Sequence, residues 1–255
     1  MDLQKPLQTP ADLGTTRYPF AYRMFRSFNA PDKRYVGGLK CRIDRRCIEQ
    51  IDGTQLAVRF VAELAERRAI KLKEVFESFE FFARVRRRVR APLMADLCCG
   101  HGLTGIVFAM FERSVTEVTL LDRALPPSHR KVLDAAIAVA PWVEPKIRLV
   151  TGRVEKAAEI LQPGTSVVAI HACGVRTDRS IEAAIALGGS VAVMPCCYQQ
   201  TGAKAPPGLL KALGQSLATD VHRTYVLENA GYSVGWTGVP PEITAMNRVM
   251  VAARR

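Results

Sequence analysis

From residue 91 to the C-terminus, brief apolar runs alternate with stretches in which apolar positions recur at helical spacing. The runs at Leu93–Leu97, Val115–Leu121, Ile147–Val150, Ser166–Ile170 and Val191–Met194 are bounded by turn residues and read as strands. Helices are expected to begin near Thr104, Ser128, Val154 and Asp178. Such alternation implies a parallel sheet wound by helices. The last stretch breaks the rhythm. A helix over Asp220–Ala230 stops at Gly231, and "YSVGWTGV" and "MNRVMVAA" then read as two strands joined through Pro240-Pro241. A connection that short permits antiparallel pairing, because a parallel crossover takes about a dozen residues or more. The expected fold is therefore α/β, with five parallel strands and a C-terminal antiparallel hairpin, unlike the six-stranded dinucleotide-binding plan.

Before residue 91 the pattern differs. In "TQLAVRFVAELAERR", Leu56, Phe60 and Leu64 share one helical face; in "KLKEVFESFEFFARVRRRVR", Leu72, Val75, Phe76, Phe79 and Ala83 do the same. Lys73, Arg84, Arg87 and Arg88 fall away from that second face, and Arg86 to Arg90 form a basic collar leading into the first strand. The first 50 residues show little periodicity and interleave rings with cations, including Arg17, Tyr18, Phe20, Tyr22, Arg23, Phe25, Arg26, Phe28, Lys33, Arg34 and Tyr35. We divide the chain into residues 1–90, a basic aromatic arm with two helices, and residues 91–255, the α/β domain.

Composition sharpens this picture in two ways. Net charge is +12, and it is uneven: residues 1–90 hold 20 Lys and Arg against 11 Asp and Glu, whereas the remainder hold 16 against 13. A polyanion would meet the first third of the chain most favourably. Rings beside cations suit stacked bases and phosphates, or else pin the arm to the main domain. The N-terminus has no apolar h-region, and no apolar run reaches the ~18 residues of a membrane span; a cytoplasmic location is expected. Seven cysteines, an odd number with two adjacent pairs, fit reduced thiols better than a disulfide framework.

Candidate chemistry collects at the carboxyl ends of the strands, where open α/β sheets bind ligands. The first is "DLCCGHGLTG", residues 96–105. Gly100, Gly102 and Gly105 spell G-x-G-x-x-G, and the helix beginning near Thr104 points its N–H groups at whatever the loop holds. Asp122, twenty residues after Gly102, can accept from both ribose hydroxyls. These features serve NAD and S-adenosylmethionine alike. Asp96 favours the latter, since a carboxylate beside the loop repels a pyrophosphate and attracts an α-ammonium group. His101 lies in the loop and would shape the cofactor pocket.

"DLCCGHG" also resembles the D-L-G-C-G-x-G loop of class I S-adenosylmethionine-dependent methyltransferases, with Cys98 where the first glycine usually stands. "IHACGVRTD", "PCCY" and "GYSVGWTGVPPEITAMNR" are similar to a branch that includes the eukaryotic tRNA 2′-O-methyltransferases and the methyltransferase region of glutathione S-transferase C-terminal-domain-containing proteins. The resemblance covers residues 91–255. It implies a Rossmann-like seven-stranded class I methyltransferase sheet, S-adenosyl-L-methionine as cofactor, and Asp96, Gly100, His101, Gly102, Asp122, Arg153 and Val154 around it. Arg153 stands where many class I enzymes place an Asp that accepts from the adenine amino group. Arginine offers no acceptor, so adenine would be read by backbone near Val154, or Arg153 would face another ligand. Those tRNA enzymes follow the cysteine pair with two histidines, where Tyr198-Gln199 stand here. They also carry an N-terminal zinc module, for which Cys41 and Cys47 are too few.

Methyl transfer to a ring or amine nitrogen needs little beyond positioning, whereas a ribose hydroxyl benefits from a base. His171, at the end of the fourth strand, is the first choice for base or substrate orienter, and Tyr198, after the fifth, for the acceptor pocket. Asp178 suits a helix N-terminal role. Cys98, Cys99, Cys173, Cys196 and Cys197 should converge at one sheet edge. They pack beneath the cofactor, supply a thiolate for pyrimidine methylation, or bind zinc or an iron–sulfur cluster; their spacing lacks the rhythm of structural zinc sites, and no metal is expected. RNA is the expected substrate, met through Arg23, Arg26, Arg34, Arg84, Arg87 and Arg88. Methyl transfer to a protein or small molecule, and a NAD-dependent oxidoreductase, are the alternatives.

Overall fold

A computed structural model of the chain describes residues 20–30, 40–49, 51–198 and 205–255. Thr54 opens the first long helix, α1 (Gln55–Glu66), by accepting the Ala57 N–H at 3.3 Å. The Glu74 carboxylate accepts the Lys71 N–H at the start of α2 (Leu72–Val89). The alternating part then runs β1 (Leu93–Leu97), α3 (Leu103–Phe111), β2 (Glu117–Asp122), α4 (Pro127–Val139), β3 (Ile147–Thr151), β4 (Ser166–Ala169), α5 (Val175–Leu187) and β5 (Val191–Val193). A 23-residue helix, α6 (Pro207–Asn229), is broken at Gly214, where φ is 70°. It is longer than its C-terminal half, which is all that the periodicity picks out. The hairpin β6 (Tyr232–Gly238) and β7 (Arg248–Arg254) follows.

The seven strands form one sheet in the order β3-β2-β1-β4-β5-β7-β6. Strands β1 to β5 are parallel, and β7 pairs antiparallel with both β5 and β6. The expected Rossmann-like arrangement of five parallel strands closed by an antiparallel hairpin is the one observed. After β3 the chain returns to the other side of β1, which leaves a crevice between the carboxyl ends of β1 and β4.

The alternation of side chains along each strand assigns the two faces. Met94, Val118, Leu120, Val168, Val249 and Val251 meet α2, α3 and α4, with α1 packed on α4. Ala95, Leu97, Leu121, Val167, Ala169 and Met250 meet α5, the turn at Val154–Ala157 and the C-terminal end of α6. Helix α2 lies against α3 and spans β4, β5, β6 and β7, so it covers the sheet itself.

That position changes the reading of the arm. Phe25 is fully buried, its ring 5.3 Å from those of both Phe76 and Phe79. The rings of Tyr22 and Phe28 also meet that of Phe76 edge-on. Glu80 accepts the backbone N–H groups of Arg23 and Met24, each at 2.9 Å, and pairs with Arg84. These rings pin the arm to α2. Arg84 requires a correction: expected on a solvated side, it is buried between Glu80 and the carbonyls of Ala21 and Gly238. Arg23, Arg26, Arg87 and Arg88 are exposed, and Arg34 lies outside the described residues. Among the described residues no helix is long and apolar enough to cross a membrane.

Candidate active site

A cleft of about 480 Å³ opens at the carboxyl ends of β1, β2 and β4, within the range of roughly 300–1,000 Å³ common to small-ligand sites. Gly100, Asp122, Arg153, Val154 and His171 all line it, with Cys98, Arg123, Glu155 and Arg176. The first five were expected around the ligand from sequence.

The loop after β1 is shaped from its backbone. Gly100 has φ +54°, and a Cβ there would meet nothing within 4 Å, so its surface is open. Cys98 also takes a left-handed φ, of 57°, where the resembling family carries glycine. Asp122 holds this loop: its Oδ2 accepts the Gly100 N–H at 2.8 Å, and Oδ1 accepts the Arg123 N–H at 2.6 Å. Each oxygen keeps one further lone pair for a ligand donor. Gly105 has a different duty. A Cβ there would lie 2.4 Å from Leu120 Cδ2 and 3.0 Å from Asp96 Cβ, so this glycine lets α3 press onto β1 and β2.

Asp96, Gly102 and His101 stand behind the cleft wall. Strand alternation turns the Asp96 side chain toward α3, where Oδ2 accepts the Gly105 N–H at 2.9 Å. Its burial pushes the carboxyl up to about 7, with Asp122 adding to the rise and the Gly105 bond and His171 opposing it. Gly102 caps α3. Nδ1 of His101 accepts the Leu103 N–H at 3.3 Å, and Nε2 lies 3.7 Å from Glu74. Burial lowers this imidazole to about 4, so it is neutral at physiological pH.

His171 faces the cleft with 39 % of its side chain exposed. Its Nε2 lies 3.3 Å from Oε2 of Glu77, a side chain of α2 that is only 1 % exposed. That approach falls outside aligned hydrogen-bond geometry, and Oε2 has no other partner; Oε1 pairs with Lys73 at 2.7 Å. Burial pushes the Glu77 carboxyl up, but His171 and Lys73 outweigh it and hold it below the usual carboxylate range. An anion thus stands behind the imidazole. Sequence reasoning missed Glu77; its signal is an acidic residue next to Phe76 within an apolar helix. It also passed over Arg123, which directly follows β2, and Arg176, in the first turn of α5.

Tyr198 is not part of the cleft lining, contrary to the expectation that it serves the acceptor pocket. Its hydroxyl donates to Asp220 Oδ2 at 2.6 Å, and the guanidinium groups of Arg223 and Arg248 lie 5.7 and 5.8 Å from its ring centroid. Burial, then Asp220, raises the phenol above its ordinary range. Asp178, in the first turn of α5, joins this network through Arg223 at 2.8 Å. The five sheet-edge cysteines divide: Cys98 lines the cleft, Cys99 is buried, and only Cys173, Cys196 and Cys197 come together. Cys196 is outside the cleft lining, which counts against thiolate attack on a bound pyrimidine.

A methyltransferase-domain family model matches residues 70–204. No curated protein matches the chain. Among solved structures it is similar to the fibrillarin pre-rRNA processing protein of Methanococcus jannaschii, at 14% identity over 64% of this chain and 67% of that one, with a TM-score of 0.43. A protein of Clostridium thermocellum described as an rRNA-methylase gives 13% identity, 66% and 89% coverage, and 0.45. The methyltransferase domain of bacterial CtHen1 gives 15%, 64% and 90%, and 0.40. The family model spans more than half of the residues and begins before residue 91, so the nicotinamide reading is set aside: this chain belongs to the methyltransferase-domain family.

Proposed function

We propose that the protein transfers a methyl group from S-adenosyl-L-methionine to RNA, at a ribose hydroxyl in preference to a base nitrogen. The observation that carries this is the pairing of His171 with Glu77 at the wall of the cleft. A nitrogen acceptor with a free lone pair gains little from such a pair, whereas a hydroxyl becomes a good nucleophile only as its proton is drawn off.

The residues fit an adenosine-bearing cofactor. Asp122 retains a lone pair on each oxygen for a ribose diol, Gly100 leaves its side of the loop open, and Val154 offers backbone beside Arg153. When bound, the cofactor supplies an electrophilic methyl group on a good leaving group. Glu77 favours the tautomer with the proton on Nε2 of His171, leaving Nδ1 as the acceptor. His171 takes the hydroxyl proton there as the nucleophile advances, and the buried Glu77 carboxylate balances the positive charge that develops on the ring.

The RNA half of the proposal draws support from charge. Arg123, Arg153 and Arg176 rim the cleft, and Arg23, Arg26, Arg87 and Arg88 are exposed elsewhere. Among the described residues of the arm, the rings of Tyr22, Phe25 and Phe28 are engaged by α2, so the reading does not rest on these rings stacking with bases. Titration with S-adenosylhomocysteine tests the cofactor, and labelled methyl transfer to total RNA, followed by nucleoside analysis, tests the acceptor. A label in 2′-O-methylnucleosides is the expected result; a label in protein with none in RNA would overturn the RNA reading.

A further inference from the structure

Three thiols separated by up to 24 positions in sequence converge outside the cleft. Cys173 follows β4, and Cys196 and Cys197 follow β5. Their sulfur atoms all lie within 4.8 Å of one another: Cys173 Sγ is 3.2 Å from Cys196 Sγ, which is 3.7 Å from Cys197 Sγ. Among the described residues this is the only grouping of three or more His, Cys, Asp or Glu side chains with ligand atoms so close.

The spacing suits one ion. Thiolates bound tetrahedrally at about 2.3 Å from zinc place their sulfurs roughly 3.8 Å apart; the separations of 3.2 and 3.7 Å lie just below that value, and the third is no more than 4.8 Å. Proximity in two adjacent loops would mean little if the loops were loosely held, but they are tied. The Gly174 N–H donates to the Cys197 carbonyl at 3.2 Å, and the Cys173 N–H donates to the His171 carbonyl at 2.9 Å. Arg223 Nη2 donates to the Gly174 carbonyl at 3.3 Å while the same side chain grips Asp178 and Asp220. Asp220 in turn accepts from Tyr198, the residue after Cys197. A buried network therefore sets both loops before any ligand arrives, as the outer partners of metal ligands commonly do. All three cysteines are free thiols, and Cys197 is exposed, which provides an entry path.

We propose that Cys173, Cys196 and Cys197 bind a thiophilic divalent cation, with zinc as the best match, through three thiolates and one coordination position open to solvent. Each thiol releases its proton to solvent on binding, so that a 2+ ion and three thiolates leave a site of net charge −1. Three protein ligands with an open fourth position is the pattern of zinc sites that take water or a substrate group, as opposed to closed structural sites. The ion bridges the loops after β4 and β5, two residues from His171. This site is independent of what accepts the methyl group.

The test uses the full chain, reduced and stripped of metal with a chelator. Titration with Co²⁺ should raise a thiolate-to-cobalt charge-transfer band in the near ultraviolet, saturating at one ion per chain, and added Zn²⁺ should bleach it. C173S, C196S and C197S should each abolish the one-equivalent band, whereas C41S should keep it. Because Cys197 is exposed, C197S also guards against loss by misfolding, checked by circular dichroism. Absence of the band in the parent protein, or its survival in C173S, would overturn the proposal. So would a metal-free parent protein whose thiol count falls two short before reduction and whose reduced form takes no cobalt, because the pair would then be a disulfide.

Discussion

Glu77 holds its buried carboxylate 3.3 Å from Nε2 of His171, although one residue sits in a helix before the alternating domain and the other stands two residues past its fourth strand. Helix α2 makes this possible by lying across the sheet, so that the basic N-terminal part of the chain places a buried carboxylate behind a cleft-lining histidine. If the pair acts as proposed, His171→Ala lowers kcat by about 100-fold or more, the usual worth of a positioned base, with S-adenosylhomocysteine affinity unchanged. Glu77→Gln lowers kcat less, and Glu77→Asp restores part of the loss. Single-turnover methylation beside calorimetry checks this. A drop in affinity equal to the drop in kcat would make both residues structural.

Asp122 is expected to carry the largest share of cofactor recognition. Asp122→Ala removes two charge-assisted ribose contacts of about 1.5 kcal/mol or more each, and also frees the Gly100 N–H. A loss of S-adenosylhomocysteine affinity on the order of 100-fold follows, at 1.4 kcal/mol per tenfold. Unchanged affinity by calorimetry would refute this placement of the ribose.

Asp96 gives a pH signature. Burial raises its carboxyl from the ordinary 3.8 to about 7, so the native state keeps a proton that the unfolded chain has lost. Its contribution to stability is fully present below the unfolded pKa and is lost as pH rises through the folded one. His101, lowered to about 4 by burial, acts in the opposite sense: the unfolded chain gains the proton first, and stability falls as pH drops through that window. The two slopes oppose each other in the parent protein, so the informative quantity is a difference. Asp96→Asn should gain thermal stability relative to the parent between about pH 4 and 7 and hold that gain above 7. A difference independent of pH in parallel melting curves would contradict the buried acid.

The Arg84–Glu80 pair, with side chains 1 % and 0 % exposed, fastens the arm to α2 and to the hairpin at Gly238. Arg84→Met leaves the Glu80 carboxylate without its cation in the interior, a change that typically costs about 3–5 kcal/mol. At roughly 2–4 °C per kcal/mol for a domain of this size, the melting temperature should fall by about 6 °C or more. Arg87→Met, at an exposed position, should leave it within a degree or so of the parent.

Gly105→Ala tests the close approach of α3 to the sheet. The added methyl has Leu120 Cδ2 at 2.4 Å, so the helix must shift or Leu120 must leave its rotamer. Overpacking of this kind costs about 1–3 kcal/mol, with cofactor affinity falling as the loop moves. A fully stable variant would show that the contact yields more easily than its geometry implies.

The alternation of short apolar runs with helical periodicity determined the strands, their parallel pairing and the closing hairpin. Those features follow from local burial and connection length, which a linear pattern records. Strand ends likewise disclosed Asp122, Arg153 and His171, because an open parallel sheet delivers its carboxyl ends to one edge whatever the details of packing. Side-chain partnership was a matter for the tertiary structure. Arg84 and Arg87 look alike in sequence, yet one is sealed under Gly238 and the other is exposed. Tyr198 sits next to the right strand, but Asp220, 22 residues on, draws its hydroxyl away from the cleft. Glu77 meets His171, and Cys173 meets Cys196 and Cys197, only because α2 crosses the sheet and two loops share one edge. Contacts made at such separations depend on how whole elements pack, and no local spacing encodes them.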